Sequence, residues 1–343
     1  MKERKTIPMA VRYLMNIILV AAFLTALNLL VVNKTLSTYN AKVLMLVGVN
    51  IILAVSLNVA TGYLGQLPLG HAGFMAVGAY ASAIFTKNFD GRLPDEVNFV
   101  LGLVLAAVLA FGVGVLIGIP ALRLQGDYLA ILTLGFGEII RITLNNIDNV
   151  LGFKLTYGAA GLKNIPKYTS VLNAFVWVAV CCYVIHTMMK SRHGRAILAI
   201  RENEIAADSC GIQTTYYKVL GLAVSAAFAG VAGGLYAGYL GVLNPGNFGF
   251  MKSIEILVMV VLGGMGSMLG SVLSATVLTV LPEALRSFSE YRMVVYALAL
   301  VLMMIFKPSG LLGQYDFSLS RLVEKLINGE LFQKKSKTEK EGE

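Results

Sequence analysis

From Val43 to Thr86 the chain carries no Asp, Glu, Lys or Arg. At ~1.5 Å of helical rise per residue, that stretch is long enough to cross a ~30 Å hydrocarbon core twice. No soluble core helix needs an uncharged run of that length. Composition agrees, since 57% of the 343 residues are hydrophobic and only 14% are charged, against roughly one quarter charged in soluble domains. Mean hydropathy is +0.74. The expected fold is an all-α integral membrane protein, a polytopic bundle of about 8 to 10 membrane segments.

A formal charge of +9 raises the question of nucleic acid. A nucleic-acid binder gathers its basic residues on one exposed face beside a groove-reading motif, whereas here they sit between apolar runs. The positive-inside rule accounts for them without such a partner. The Lys/Arg-rich stretches are the N-terminus, the segment with Lys190, Arg192, Arg195 and Arg201, and the tail after Lys307. All are expected in the cytoplasm, the two termini included. The three cysteines, Cys181, Cys182 and Cys210, suggest neither a disulfide framework nor a metal site. The N-terminal MKERKTIPMAVR precedes an apolar run too long for a signal peptide, so it is read as leading into a retained first helix.

Apolar runs place spanning segments near residues 13–33, 43–61, 68–86, 99–119, 128–147, 170–189, 219–242, 254–281 and 291–306. Six crossings between the N-terminus and Lys190 keep both cytoplasmic. The three runs that follow would leave the tail outside, so one must be irregular. The candidate is Ser253–Leu281, where Gly263, Gly264 and Gly266 in GGMGS interrupt the pattern. The first half has a similar interruption at GYLGQLPLGHAGF, residues 62–74, with Gly65, Gln66 and His71. Gly/Pro-interrupted segments in two halves point to a repeat-built transporter whose pathway lies at those broken or re-entrant segments. The plainer alternative is tight turns between ordinary helices. Irregular backbone at that depth is tolerable only when buried in protein or lining a cavity.

Small residues at four-residue spacing, Gly230, Gly234 and Gly238 on one run and Gly114 and Gly118 on another, read as ridges for close helix packing. The tail FSLSRLVEKLINGELF is mildly amphipathic and suits a membrane surface. The final KKSKTEKEGE is polar and suits disorder. Residues 1–313 are thus taken as the membrane domain, with a cytoplasmic loop at 190–218, and 314–343 as a cytoplasmic tail.

Glu138 and Arg141 fall mid-segment, three residues apart on one helix face, with Asp127 about three turns earlier. Ionisable groups at membrane depth are functional candidates. An interhelical ion pair, with Asp127 as an N-terminal cap, is the bland alternative. His71 stands alone in an uncharged run without partners for a metal, and either lines the pathway or hydrogen-bonds structurally. Neither a nucleophile–base pair nor a GxxxxGK[ST] phosphate loop is present, so the chain is not expected to be an enzyme or to hydrolyse ATP. Energy for uphill transport would come from an ion gradient or from another subunit.

The segment SRHGRAILAIRENEIAADSCGIQTTYYK, residues 191–218, is too polar to cross lipid. It suits a short interfacial helix docking on a soluble partner. Its core RENEIAADSCGI resembles the coupling segment of ABC importer permeases, with Ala206, Ala207 and Gly211 in the Ala-Ala-x-x-x-Gly positions. Ile205 stands where the usual acidic residue would be, and Glu204 precedes it. Four further stretches, GYLGQLPLGHAGFMAVGAY, LRLQGDYLAILTLGFGEIIRITLNN, VLGGMGSMLGSVLSA and YRMVVYALALVLMMIFKPSGLLG, resemble the LivM-type permeases of branched-chain amino-acid ABC importers. They occur in that family's order.

The resemblance implies a non-catalytic membrane subunit of a bacterial or archaeal inner membrane that needs no cofactor of its own. Its implied partners are a second homologous permease, two cytoplasmic ATPase subunits that bind the ATP, and an extracytoplasmic substrate-binding protein. The implied substrates are leucine, isoleucine and valine, with urea or another amino acid as the alternative within the family. Arg201, Glu202, Asn203, Glu204, Ala206, Ala207 and Gly211 are the candidates for ATPase coupling, with Glu202, Asn203 and Glu204 as the contact. Gly65, Gln66, His71, Glu138, Arg141, Gly263, Gly264 and Gly266 are the candidates for the pathway. The rival from another class is an ion-coupled transporter with Glu138 as its ion site. A membrane enzyme around His71 and Glu138 lacks a second catalytic partner.

Overall fold

A computed structural model describes residues 37–288, apart from 123, 125 and 153, together with single positions within 22–29 and 291–310. The runs expected at 13–33 and 291–306 fall largely outside the described residues, and the tail at 314–343 falls wholly outside them. The described chain forms helices α1 (Thr38–Asn58), α2 (His71–Asn88), α3 (Asp95–Ala121), α4 (Asp127–Leu151), α5 (Val171–Lys190), α6 (Arg192–Glu202), α7 (Glu204–Ser209), α8 (Thr214–Leu240), α9 (Phe250–Gly263) and α10 (Met268–Ala284). Among the described residues no strand forms, and β pairing is confined to an isolated bridge between Leu162 and Leu243.

By length and composition, α1 with the turn that follows it, α3, α5 and α8 are each sufficient to cross a membrane. The helix starts follow from local chemistry. Ser37, Ser170 and Ser191 accept amide hydrogens at the starts of α1, α5 and α6, satisfying donors that lack a partner within the helix. Asp95 and Glu96 occupy the first turn of α3, where carboxylates complement the helix dipole.

The bundle is built around α1 and α8. Every residue of α1 from Val47 to Asn58 is buried, as expected for a helix that is apolar all round. α8 packs against α3, α2 and α1, and its glycines explain how. A Cβ at Gly78 of α2 would lie 2.3 Å from the Gly230 Cα, and one at Gly230 would lie 2.6 Å from the Ala106 carbonyl oxygen of α3. In lipid, where apolar side chains have no solvent to escape, such backbone approach supplies the packing energy. Gly234 and Gly238 are similarly crowded, by Leu103 and by Thr169, and Gly114 by Ala226. The ridges read from the sequence are therefore packing surfaces. The outer face of α3 leaves Val104, Val108 and Leu116 exposed, as a lipid- or subunit-facing surface would.

The apolar run at 254–281 is not one segment. It is divided between α9 and α10, which form an antiparallel hairpin in which Ser274 donates to the Met259 carbonyl. A Cβ at Gly263 would lie 2.5 Å from the Gly270 carbonyl carbon. The irregularity expected there is this turn.

Candidate functional site

The first glycine break begins where α1 widens into a π turn, Val59–Tyr63. Such turns cluster at functional sites because they free carbonyls and re-aim the backbone. The Leu64 and Gln66 amides donate back to the Val59 and Ala60 carbonyls, leaving the Gly62 carbonyl for another donor. Gly65, at φ 76°, turns the chain in a conformation that a Cβ disfavours. Residues 64–70 then run irregularly to His71, the first residue of α2. The break thus joins two separate helices.

The second break is the α9–α10 turn. α9 ends at Gly263, and the Gly264 amide closes onto the Val260 carbonyl at 3.1 Å. Gly266 sits at φ 88°. Ser267 then caps α10 by accepting from the Gly270 amide at 3.1 Å.

The two breaks meet. The Asn58 side chain, the last of α1, accepts the Gly266 amide at 2.8 Å and donates to the Ser267 carbonyl at 3.2 Å. The approach is so close that a Cβ at Gly62 would lie 1.9 Å from Asn58 Oδ1 and 2.2 Å from the Gly266 nitrogen. Arg201, near the end of α6, reaches the same point. Its Nη1 donates to the Gly62 carbonyl at 2.6 Å, a cation on the open carbonyl end of a helix, where the dipole favours it.

The segment carrying Arg201 forms the two short helices α6 and α7. Asn203, with φ −159°, breaks it, and its Oδ1 accepts the Ala206 amide at 3.0 Å to start α7. α6 lies on the bundle through Ile197 and Ile200, both buried. Glu204 forms an ion pair with Lys218, which is only 3% exposed in α8. Of the residues expected to face an ATPase, Asn203 and Glu204 are thus engaged with their own chain. Glu202 and Ala206 are exposed, and Ala207 is buried. Gly211 ends the segment at φ 82°. Ile205 is 80% exposed, an apolar side chain presented on a polar surface.

The remaining pathway candidates lie elsewhere. His71 is fully buried, its Nε2 2.9 Å from Ser56 Oγ on α1. Gln66 is half-buried. Glu138 and Arg141 form an ion pair at 2.7 Å along α4, and the second Glu138 oxygen accepts the Phe250 amide at 3.2 Å, capping α9. Both carboxylate oxygens are therefore engaged, which does not favour an ion site there. Asp127 lies in the first turn of α4, with Gly126 at the cap. Sequence reasoning passed over Asn58 and Lys218. Asn58 carried a signal, as a side-chain amide in an otherwise apolar run directly before a glycine break.

The model of the family described as branched-chain amino acid transport system / permease component matches residues 39–306, which include both breaks and the α6–α7 segment. The chain belongs to this permease family. The permease is 38% identical, over 76% of its length and 67% of the relative's, to the high-affinity branched-chain amino acid transport system permease protein LivM of Salmonella typhimurium. It is also 38% identical to LivM of Escherichia coli, over 81% and 70% of the two chains. Similarity extends at 26% identity to the permease protein LivH of Escherichia coli, covering 77% of this permease and 91% of LivH. Membership of the family together with the apolar helices makes the permease a multi-pass membrane protein and a transport subunit rather than an enzyme.

Proposed function

We propose that this permease is a membrane-spanning subunit of an ABC importer that moves leucine, isoleucine and valine inward, driven by ATP hydrolysed in partner subunits. The observation that carries the reading is the docking of α6 on both glycine breaks through Arg201, within a chain 38% identical to LivM proteins. An interfacial helix tied to the only two interruptions of the apolar pattern that the sequence singled out is what an externally driven transporter requires. Rigid-body movement of the helices hung from those breaks would alternate access.

The partners follow from the same reading: two cytoplasmic ATPase subunits that hold the ATP, an extracytoplasmic binding protein that selects substrate, and a second permease. Similarity to both LivM and LivH supports pairing with a homologous permease. The chain itself would need no cofactor. Division of the 254–281 run into α9 and α10 supports an even number of crossings, which would return both basic termini to the cytoplasmic face of a bacterial or archaeal inner membrane.

The test is co-purification of the tagged permease in mild detergent, followed by ATPase assays with and without leucine-loaded binding protein. Recovery of an ATPase and a second permease, with hydrolysis stimulated by leucine in preference to urea, is the expected result. A partnerless chain that moves solute on an ion gradient would overturn it.

A further inference from the structure

Arg201 lies in the segment expected to face the ATPase, yet its side chain turns the other way. Its Nη1 donates to the Gly62 carbonyl at 2.6 Å. Its Cγ stands 3.2 Å from where a Cβ on Gly65 would lie, and its Nη1 stands 3.1 Å from where one on Gly266 would lie. One side chain therefore bonds to the first break and lies beside the second, about two hundred positions away in the chain, while its backbone belongs to α6. Behind it, Ile197 and Leu64 both border the same face of α8 at Gly221, so α6 and the first break share a packing surface.

A π turn and two glycines in the left-handed region, Gly65 and Gly266, turn the chain ahead of α2 and α10. Asn58 fastens one break to the other, so a displacement of either is felt by both. A guanidinium suits the junction because its planar fork presents several donors at fixed angles, whereas an ammonium is a single point charge on a flexible stem.

We infer that Arg201 is the positioning residue that transmits movement of the α6–α7 segment to both glycine breaks at once. This rests on the importer reading and goes beyond it by naming the link. In the reconstituted full complex, the readout is ATP hydrolysed per amino acid transported. Arg201→Gln should raise that ratio at least tenfold, and Arg201→Lys should recover part of the loss. An unchanged ratio in Arg201→Gln overturns the inference while leaving the importer reading intact, whereas a wild-type chain that recovers no ATPase overturns both.

If Arg201→Gln does not assemble, spin labels at Leu67 and Met265, both exposed, report the separation of the two breaks in the Arg201→Lys complex. A nucleotide-driven distance change less than half that of the labelled wild type is expected. An equal change overturns the link.

Discussion

The Asn58 side chain and the Gly266 amide meet at 2.8 Å, so the last residue of α1 holds the turn between α9 and α10. With the second bond, from Asn58 Nδ2 to the Ser267 carbonyl, a single buried amide satisfies a donor and an acceptor that the glycine turn leaves open. Asn58→Leu would keep the volume and orphan both groups, at a cost on the order of 1–3 kcal/mol for each buried unsatisfied group. A lowered midpoint in detergent thermal unfolding is expected, with a larger drop than for Thr61→Val in the adjoining turn. Equal midpoints would refute the role given to Asn58.

Gly62 and Gly112 make a matched pair. A Cβ at Gly62 has atoms at 1.9 and 2.2 Å, including backbone, whereas one at Gly112 in α3 meets nothing within 4 Å. Gly62→Ala should therefore abolish uptake and reduce the folded yield. Gly112→Ala should be neutral or stabilising by up to about 1 kcal/mol through helix propensity. Membrane-fraction yield and uptake, measured side by side, check both.

The Glu204–Lys218 pair is asymmetric, because the Lys218 side chain is 4% exposed and that of Glu204 is 36% exposed. Removing the acid strands a buried cation, while removing the cation leaves a carboxylate that water can still reach. Glu204→Gln should thus destabilise more than Lys218→Met, by about 1–3 kcal/mol. The reverse order in thermal unfolding would show that the lysine has another partner.

Ile205, at 80% exposure, is expected to be buried by the ATPase. Ile205→Asp should cost roughly 1.5–3 kcal/mol of association, read as a fall of about tenfold or more in ATPase recovered at fixed dilution. Glu202→Ala, at the rim of the same surface, should change recovery little. Undiminished recovery with Ile205→Asp would move the contact elsewhere.

Glu138→Gln keeps an acceptor for the Phe250 amide and loses the charge opposite Arg141. Uptake should fall modestly and remain driven by ATP. Glu138→Ala, which also uncaps α9, should lose roughly 1 kcal/mol more in stability. Complete loss of transport in Glu138→Gln would favour an ion-coupled mechanism instead.

The membrane class, the course of α1 to α5 and α8, and the existence of two glycine breaks were legible from the sequence. Uncharged length and Gly/Pro interruptions are local properties. The α6–α7 segment was legible as polar and helical, and the ridge at Gly230, Gly234 and Gly238 as packing. What the chain order could not convey is which distant groups meet. That Gly62 faces Gly266, that Asn58 joins them, and that Arg201 turns inward while Ile205 turns outward depend on how α1, α10 and α6 are brought together. Likewise, His71 as a buried partner of Ser56 and Glu138 as the cap of α9 are products of packing. A side chain's hydrogen-bonding partner is chosen by three-dimensional proximity at an apolar interior, where each polar group must find whatever complement the folded backbone supplies.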